Sequence, residues 1–353
     1  MNKNLRNWLT EYVSFDSVGY ESNISNLIVD LFISDKCNLC CKHCYFGDSH
    51  TIGIPLSIEQ WKSVIDLLYY EGVRHFHISG RESSLDNRVI EIISHVKKKE
   101  NTFSGLVSNG TGPMSFYKSL IKEGIDYLEF SIDGTETTHN FIRGKAVYSQ
   151  VVNTLFSLSQ FSDIIDISTC LNKNSIDEFF SIIDLCSDIG IKKFFATPFL
   201  ASGNGKFFKS FSISPYNYSK LIENSFAYLK SRSNKQIILK YCVPHEITLP
   251  LIKKGDFFKQ ILISYLTDQS ELLYSVDGNL IQIALNLLDI KFLHNISITS
   301  DGEVIPCSDY IGDKNYLRYS IGNIVKDEID TIVQNRTEAI KKSLNKIRNC
   351  APA

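Results

Sequence analysis

Between Cys37 and Phe46 the chain reads CNLCCKHCYF, four cysteines inside eight residues. Thiolates at that density do metal, redox or iron–sulfur chemistry, and their spacing separates the options. Cys37-x2-Cys40 with Cys41-x2-Cys44 is one way to surround a zinc ion. Structural zinc takes its ligand pairs from two separated elements, whereas Cys40 and Cys41 are adjacent, so a single tetrahedral site strains the backbone. A redox CxxC pair opens a helix behind an aromatic residue, and that start is missing here. The third arrangement, Cys37-x3-Cys41-x2-Cys44, presents three soft ligands from one short loop. Such a set suits three corners of a 4Fe–4S cluster and leaves the fourth iron open. In that arrangement Cys40 is spare. From this loop alone, a chance group of buried thiols stays open as well.

The whole chain narrows the setting. Nine cysteines are an odd, unevenly spread set, and the opening MNKNLRNWLTEY has charges where a secretory signal would be apolar. Reduced thiols and a cytoplasmic protein are expected. A net charge of −2 leaves no electrostatic footprint for nucleic acid or an anionic membrane. The longest apolar runs, such as LIVDLFI, are strand-length and broken by charge, so no membrane span is expected.

The cysteine loop needs elements to position it. From Ile28 to Leu200, short β-branched runs alternate with helical patterns: LIVDLFIS then SIEQWKSVIDLLYYEG, HFHIS then DNRVIEIISHVKKK, GLVS then SFYKSLIKEG. YLEFSI then YSQVVNTLFSL, and IIDISTCL then SIDEFFSIIDLCSDIG follow, and KKFFATPF leads into the glycine-bearing ASGNGK. Six such units predict an α/β fold, a partial (β/α)6 TIM-like barrel, with its chemistry on the loops after the strands. Beyond it SPYNYSKLIENSFAYLKSR predicts a helix, QIILKYC a strand, NISITSDGEVIPC a hairpin and DEIDTIVQNRTEAIKKSLNKI a helix. The stretch 257–292 is apolar and unassigned. The division expected is an N-terminal extension over 1–27, the barrel over 28–206 and a smaller α+β C-terminal region over 207–353.

With the cysteine loop, four further stretches fall in an order that resembles the radical S-adenosylmethionine (radical SAM) superfamily. CNLCCKHCYF is similar to its cluster loop, with His43 at the position of an aromatic residue. ISGRESSL resembles the motif that contacts the cofactor's amino group: Gly80 and Glu82 match, while Arg81 and Ser83 replace a glycine and a proline. VSNGT, with Asn109, resembles the third-strand motif. FSIDG followed by HNFIRG resembles the fourth-strand signature of the peptide-modifying branch, with Ser131, Asp133 and Arg143 beside the cofactor. FATPFLASGNGK, with Leu200, resembles the loop that passes the adenine.

The resemblance implies a 4Fe–4S cluster on Cys37, Cys41 and Cys44, with S-adenosylmethionine on the open iron. Reductive cleavage would give a 5′-deoxyadenosyl radical that takes a hydrogen atom from substrate. Arg143 is expected to grip the cofactor carboxylate with two nitrogens. Ser131 should hold a ribose or carboxylate oxygen, and Glu82 with the backbone of Ser79 to Arg81 should hold the ammonium. Arg81 must turn its side chain elsewhere, towards substrate. ITSDGEVIPCSDY and YSIGNIVKDEIDTI resemble a degenerate SPASM or twitch extension. Its candidate thiols Cys242, Cys307 and Cys350 are too few for a fully ligated auxiliary cluster, and none is expected. Cys307 is instead a candidate hydrogen donor, while Cys170 and Cys186 are expected in the packing. The substrate implied is a ribosomally made peptide undergoing cross-linking, thioether formation or epimerisation. Dehydrogenation or epimerisation of a small molecule such as a sugar or aminocyclitol is one alternative, and a non-enzymatic zinc-binding module on Cys37 to Cys44 is another. A reductant such as flavodoxin or ferredoxin is implied too. The first 27 residues are too few for a peptide-recognition domain, so a leader peptide would use a separate carrier or the barrel mouth.

Overall fold

The computed structural model describes residues 24–25, 27–47, 53–144, 146–244, 247, 272–285 and 295–349. Almost all of the N-terminal extension, most of the stretch 257–292 and Cys350 lie outside them.

Strands β1 (Ile28–Leu31), β2 (His75–Ile78), β3 (Phe103–Ser108), β4 (Tyr127–Ser131), β5 (Ile165–Leu171) and β6 (Lys193–Pro198) are neighbours in sequence order, every pair parallel. These are the six expected strands. Helices α1 (Ile58–Tyr70), α2 (Arg88–Lys97), α3 (Met114–Lys122), α4 (Glu136–Arg143), α5 (Val147–Ser157) and α6 (Phe179–Asp188) connect them. Helix α1 shows why they form. Ser57 and Gln60 close a capping box, and Trp61, Val64, Ile65 and Leu68 make one buried stripe at helical spacing. The strands present Val29, Leu31, Phe76, Ile78, Leu128, Phe130, Ile165 and Ile167 to those helices, in one continuous core. Their alternate residues, among them Asp30, His77, Glu129, Ser168 and Cys170, point to the other face.

The sequence pattern suggested one helix after β4, and two are present. Helix α4 has eight residues and buries only His139 and Ile142, too few to show an apolar period. Gly144, at φ 131°, ends it.

Beyond β6 the chain adds α7 (Pro215–Lys230) and β7 (Ile238–Val243), parallel to β6. Strands β8 (Leu272–Val276) and β9 (Asn279–Leu285) form a hairpin through Asp277 and Gly278, both at positive φ, and β9 pairs parallel with β7. The expected hairpin at SDGE is present as β10 (Asn295–Ile298) and β11 (Glu303–Ile305). It lies on the opposite edge, with β10 parallel to β1 and β12 (Gly322–Asn323) outside β11. The result is one 12-stranded sheet, β12-β11-β10-β1-β2-β3-β4-β5-β6-β7-β9-β8. The C-terminal region thus widens the barrel sheet on both sides. Helix α8 (Ile329–Asn349) follows. Among the described residues no helix is long and apolar enough to cross a membrane.

Candidate functional site

The cysteine loop leaves the C-terminal end of β1. Cys37 and Cys40 are exposed, Cys44 is half-buried and Cys41 is buried. Neighbouring loops hold it by backbone. Lys42 N–H donates to Ile142 O at 3.0 Å, and Asn204 N–H donates to Cys44 O at 2.9 Å. Asn204 Nδ2 also donates to Cys41 O at 3.3 Å. Gly203, at φ +50°, lies so close that a Cβ there would sit 2.3 Å from Tyr45 O. Phe46 anchors the loop edge-on to Phe32, with centroids 5.1 Å apart. Burial pushes the Cys41 thiol up to about 12; Arg143 opposes this, while Cys44 and Cys37 add to it. Partial desolvation under its exposed surface raises Cys37 too, with Glu82 and Cys44 contributing. The three thiols of the C-x3-C-x2-C set therefore feel one another. Cys40 lines a cleft of about 310 Å³ with Asn38, Lys42, Phe141, Arg143 and Val147.

Among the described residues no three His, Cys, Asp or Glu side chains converge as ligands of a single ion would. A cubane meets each thiolate at a different corner, so it asks for neighbouring thiols without a common focus. Three soft donors on one loop fit that group.

Behind the loop lies a buried charged cluster. Asp133 is fully buried, and Arg143 Nε donates to its Oδ2. His43 Nε2 stands 3.4 Å from Arg143 Nη2 and 3.5 Å from Asp133 Oδ2. Asp133 N–H donates to His139 Nδ1 at 3.1 Å, and Cys170 N–H donates to Asp133 Oδ1 at 2.9 Å. Burial favours a protonated Asp133, but Arg143, His43 and His139 outweigh it and hold the carboxyl well below the usual range. Burial lowers His43 and His139 to about 4, so both rings are neutral at pH 7. His43 Nδ1 is buried with no hydrogen-bond partner. The two-nitrogen grip expected of Arg143 is narrowed here, because Nε already serves Asp133.

Glu82 is a hub. Its Oε1 accepts from Ser84 N–H (3.2 Å), Ser84 Oγ (2.5 Å) and Ser108 Oγ (2.7 Å), and its Oε2 accepts from Asn109 N–H (2.7 Å). It ties the β2 loop to the β3 loop, leaving Oε2 the less occupied oxygen. Asn109 Nδ2 donates to Asn38 Oδ1 at 2.9 Å, and Asn38 Nδ2 donates to Thr111 Oγ1 at 2.8 Å. Asn38, inside the cysteine loop, is a member that motif reasoning missed. Ser79 Oγ donates to Asp30 Oδ1 at 3.4 Å. Gly80 has φ +100°, and a Cβ there would meet Phe32 at 2.8 Å. Arg81 was expected to turn towards substrate, but its guanidinium lies 5.2 Å over the Phe46 ring, against the cysteine loop. Ser131 is buried at the end of β4, in register with Ser168. Leu200 is the second residue of the loop after β6, where its carbonyl accepts from Ser202 N–H at 2.8 Å.

Cys307 is buried just after β11, near Ile305, which packs with Phe32 and Phe46. Cys186 belongs to the main core, as expected. Cys170 does not; it packs with Ile142, Phe199 and Phe211, beside Asp133 and within the electrostatic reach of Arg143 and Cys41. Strand alternation carries the signal: Ile165, Ile167 and Leu171 face the helices, so Cys170 faces away from them.

A parallel partial barrel that gathers a three-cysteine loop, a buried Asp–Arg pair and a carboxylate hub at one end of its strands is an enzyme architecture. The chain belongs to the radical SAM superfamily. The model of that superfamily matches residues 31–186, and the SPASM iron–sulfur cluster-binding domain matches 292–352, together more than half of the chain. The sporulation killing factor maturation protein SkfB of Bacillus subtilis (strain 168) is 28% identical over 175 residues, 49% of this chain and 42% of that protein. The antilisterial bacteriocin subtilosin biosynthesis protein AlbA of the same strain is 28% identical over 171 residues, 46% of this chain and 37% of that protein. This chain thus spans about two fifths of the length of the curated relatives it matches. The fold is shared with anSMEcpe bound to AdoMet and the Kp18Cys peptide: TM-score 0.64, 19% identity, covering 92% of this chain and 85% of that one. It is also shared with Streptococcus suis SuiB bound to precursor peptide SuiA: TM-score 0.63, 13% identity, covering 94% and 68%.

Proposed function

We propose that this radical SAM enzyme modifies a ribosomally made peptide by cross-linking, thioether formation or epimerisation. The observation that carries this reading is the shared sequence match to a killing-factor maturation protein and a bacteriocin biosynthesis protein. Residues 28–206 are the catalytic barrel in this reading and 207–353 the C-terminal extension that widens its sheet at both edges. Cys37, Cys41 and Cys44 hold the cluster, which when bound supplies the electron that cleaves S-adenosylmethionine. Glu82 Oε2 and the backbone of Ser79 to Arg81 present an acceptor edge to the cofactor's ammonium. Arg143 turns its terminal nitrogens to the carboxylate, while Asp133 keeps the guanidinium in place. His43 Nδ1 is an unsatisfied polar atom that a bound nucleoside would satisfy. Asn109, Ser131 and Leu200 border the same end of the barrel.

The test is anaerobic reconstitution with iron and sulfide, then dithionite and S-adenosylmethionine, with 5′-deoxyadenosine read by mass spectrometry. Cys37→Ala, Cys41→Ala and Cys44→Ala each abolish release, and Cys40→Ala retains it. Iron analysis yields about four atoms per chain with one cluster and about eight with an auxiliary one on the tail. A mass change in a short peptide encoded beside the gene supports the substrate class. A second reading, a small-molecule substrate, draws on a match to pre-heme d1 synthase of Dinoroseobacter shibae, 25% identical over 177 residues. An unchanged peptide beside a small-molecule biosynthesis cluster would favour it.

A further inference from the structure

The outer edge of the cysteine loop carries features that the cofactor site does not use. On one side lies α4, whose Phe141 is 51% exposed with Lys42 Nζ 3.2 Å over its ring. On the other side the 203–209 segment rests on the loop through Asn204 and Gly203. That segment exposes Phe207 (83% exposed) and Lys209, and Lys206, whose Nζ also donates to Gly312 O at 3.1 Å. Phe208 links the sides, its ring 6.0 Å from Lys42 Nζ and 5.3 Å from Phe211, which in turn meets Phe141 at 6.1 Å. Among the described residues none of these lysines ion-pairs with a carboxylate. Asp313, which feels Lys206, is already bonded to Arg318 at 2.7 Å. In a chain of net charge −2, a positive, aromatic rim stands on the Cys41–Cys44 segment of the cysteine loop, beside the exposed Cys40.

We propose that this rim, built from Lys42, Phe141, Lys206, Phe207 and Lys209, docks an acidic one-electron donor protein of the flavodoxin or ferredoxin class. The proposal rests on the radical SAM reading, whose chemistry consumes one electron per cofactor cleaved. Short-lived redox complexes bury small areas and are steered by complementary charge, and a few lysines around exposed rings supply both. The electron enters where the thiols reach solvent, so the donor needs no access to the barrel interior. A peptide substrate, by contrast, must reach the inner ends of the strands.

The experiment compares two reductants on the reconstituted full chain: dithionite, and flavodoxin reduced by NADPH and flavodoxin reductase. In the double variant Phe207→Ser/Lys209→Glu, flavodoxin-driven release of 5′-deoxyadenosine falls roughly tenfold at low salt, while the dithionite-driven rate stays within about twofold. The wild-type flavodoxin rate falls as salt rises, and Phe207→Ser weakens flavodoxin binding by calorimetry. An unchanged flavodoxin rate, or equal loss with both reductants, overturns the proposal. So does loss of peptide modification under dithionite with flavodoxin turnover intact, which assigns the rim to peptide. Salt-dependent flavodoxin binding lost in the double variant, in a chain inactive with dithionite, keeps the docking surface and overturns the enzymatic reading instead.

Discussion

Replacing Glu82 by glutamine separates a structural from a ligand role for this carboxylate. The wild-type carboxylate accepts four hydrogen bonds, three at Oε1 and one at Oε2, and is only 2% exposed. Glutamine has one acceptor oxygen. Placed at the Oε1 position, it keeps Ser84 and Ser108 but turns an amide N–H₂ towards Asn109 N–H, donor against donor. Flipping the amide exposes three donors to the N–H₂ instead. The better rotamer leaves one buried N–H unsatisfied, about 1–3 kcal/mol, and weakens charge-assisted bonds to neutral ones. A total near 3 kcal/mol corresponds to a fall of roughly 5 °C in Tm for a chain of this size. Thermal melts of cofactor-free protein followed by circular dichroism measure it, beside S-adenosylmethionine affinity by equilibrium dialysis. Adding Ser108→Ala should cost less in the Glu82→Gln background than in wild type, because the two share one bond. If the cofactor-free melt moves by less than about 1 °C while affinity collapses, the hub reasoning is wrong and Glu82 is held in place by something else.

Three further outcomes follow from other contacts. Arg143→Ala strands Asp133 as a buried unpaired charge and destabilises by about 3–5 kcal/mol in urea unfolding; adding Asp133→Asn recovers much of it, and no recovery refutes the pairing. Gly105→Ala places a Cβ 1.9 Å from Tyr127 Cζ and costs about 3 kcal/mol, a penalty that should shrink in a Tyr127→Leu background; additive losses would refute the contact. Burial lowers His77, but its 2.8 Å bond to Asp30 and the Asp30 and Glu129 charges outweigh this, so its folded pKa is raised. Its contribution is therefore complete below about pH 6.5 and fades as pH rises through the folded value. The Tm gap between wild type and His77→Gln should narrow from pH 6 towards pH 9 as an expected trend, and parallel profiles would refute it.

The six parallel strands were legible because each is written locally: a β-branched run, then a helix whose buried stripe recurs at 3, 4 and 7, as in Trp61, Val64, Ile65 and Leu68. What was not legible is long-range. Nothing near Asn295 says that β10 will lie beside Ile28, yet that pairing lets Asn295 Nδ2 and Ser297 Oγ donate to Asp30 Oδ2 at 3.2 Å. Asp30 in turn bonds His77 and Ser79, so the C-terminal region reaches the barrel interior through one carboxylate. The candidate site residues are readable one by one in the sequence, and their engagement with one another is not. Asp133 and Arg143 were each assigned to the cofactor, but at ten residues apart across α4 they first satisfy each other. Glu82 was assigned to an ammonium and spends most of its lone pairs on Ser84, Ser108 and Asn109. A motif reports which side chains meet at a site, whereas burial decides what each must bond to stay there. In the proposed function, groups so completely engaged are left few atoms for a ligand: the remaining lone pair of Glu82 Oε2, Nη1 of Arg143 and Nδ1 of His43. Those atoms, rather than the residues as wholes, are where substitutions should separate binding from folding.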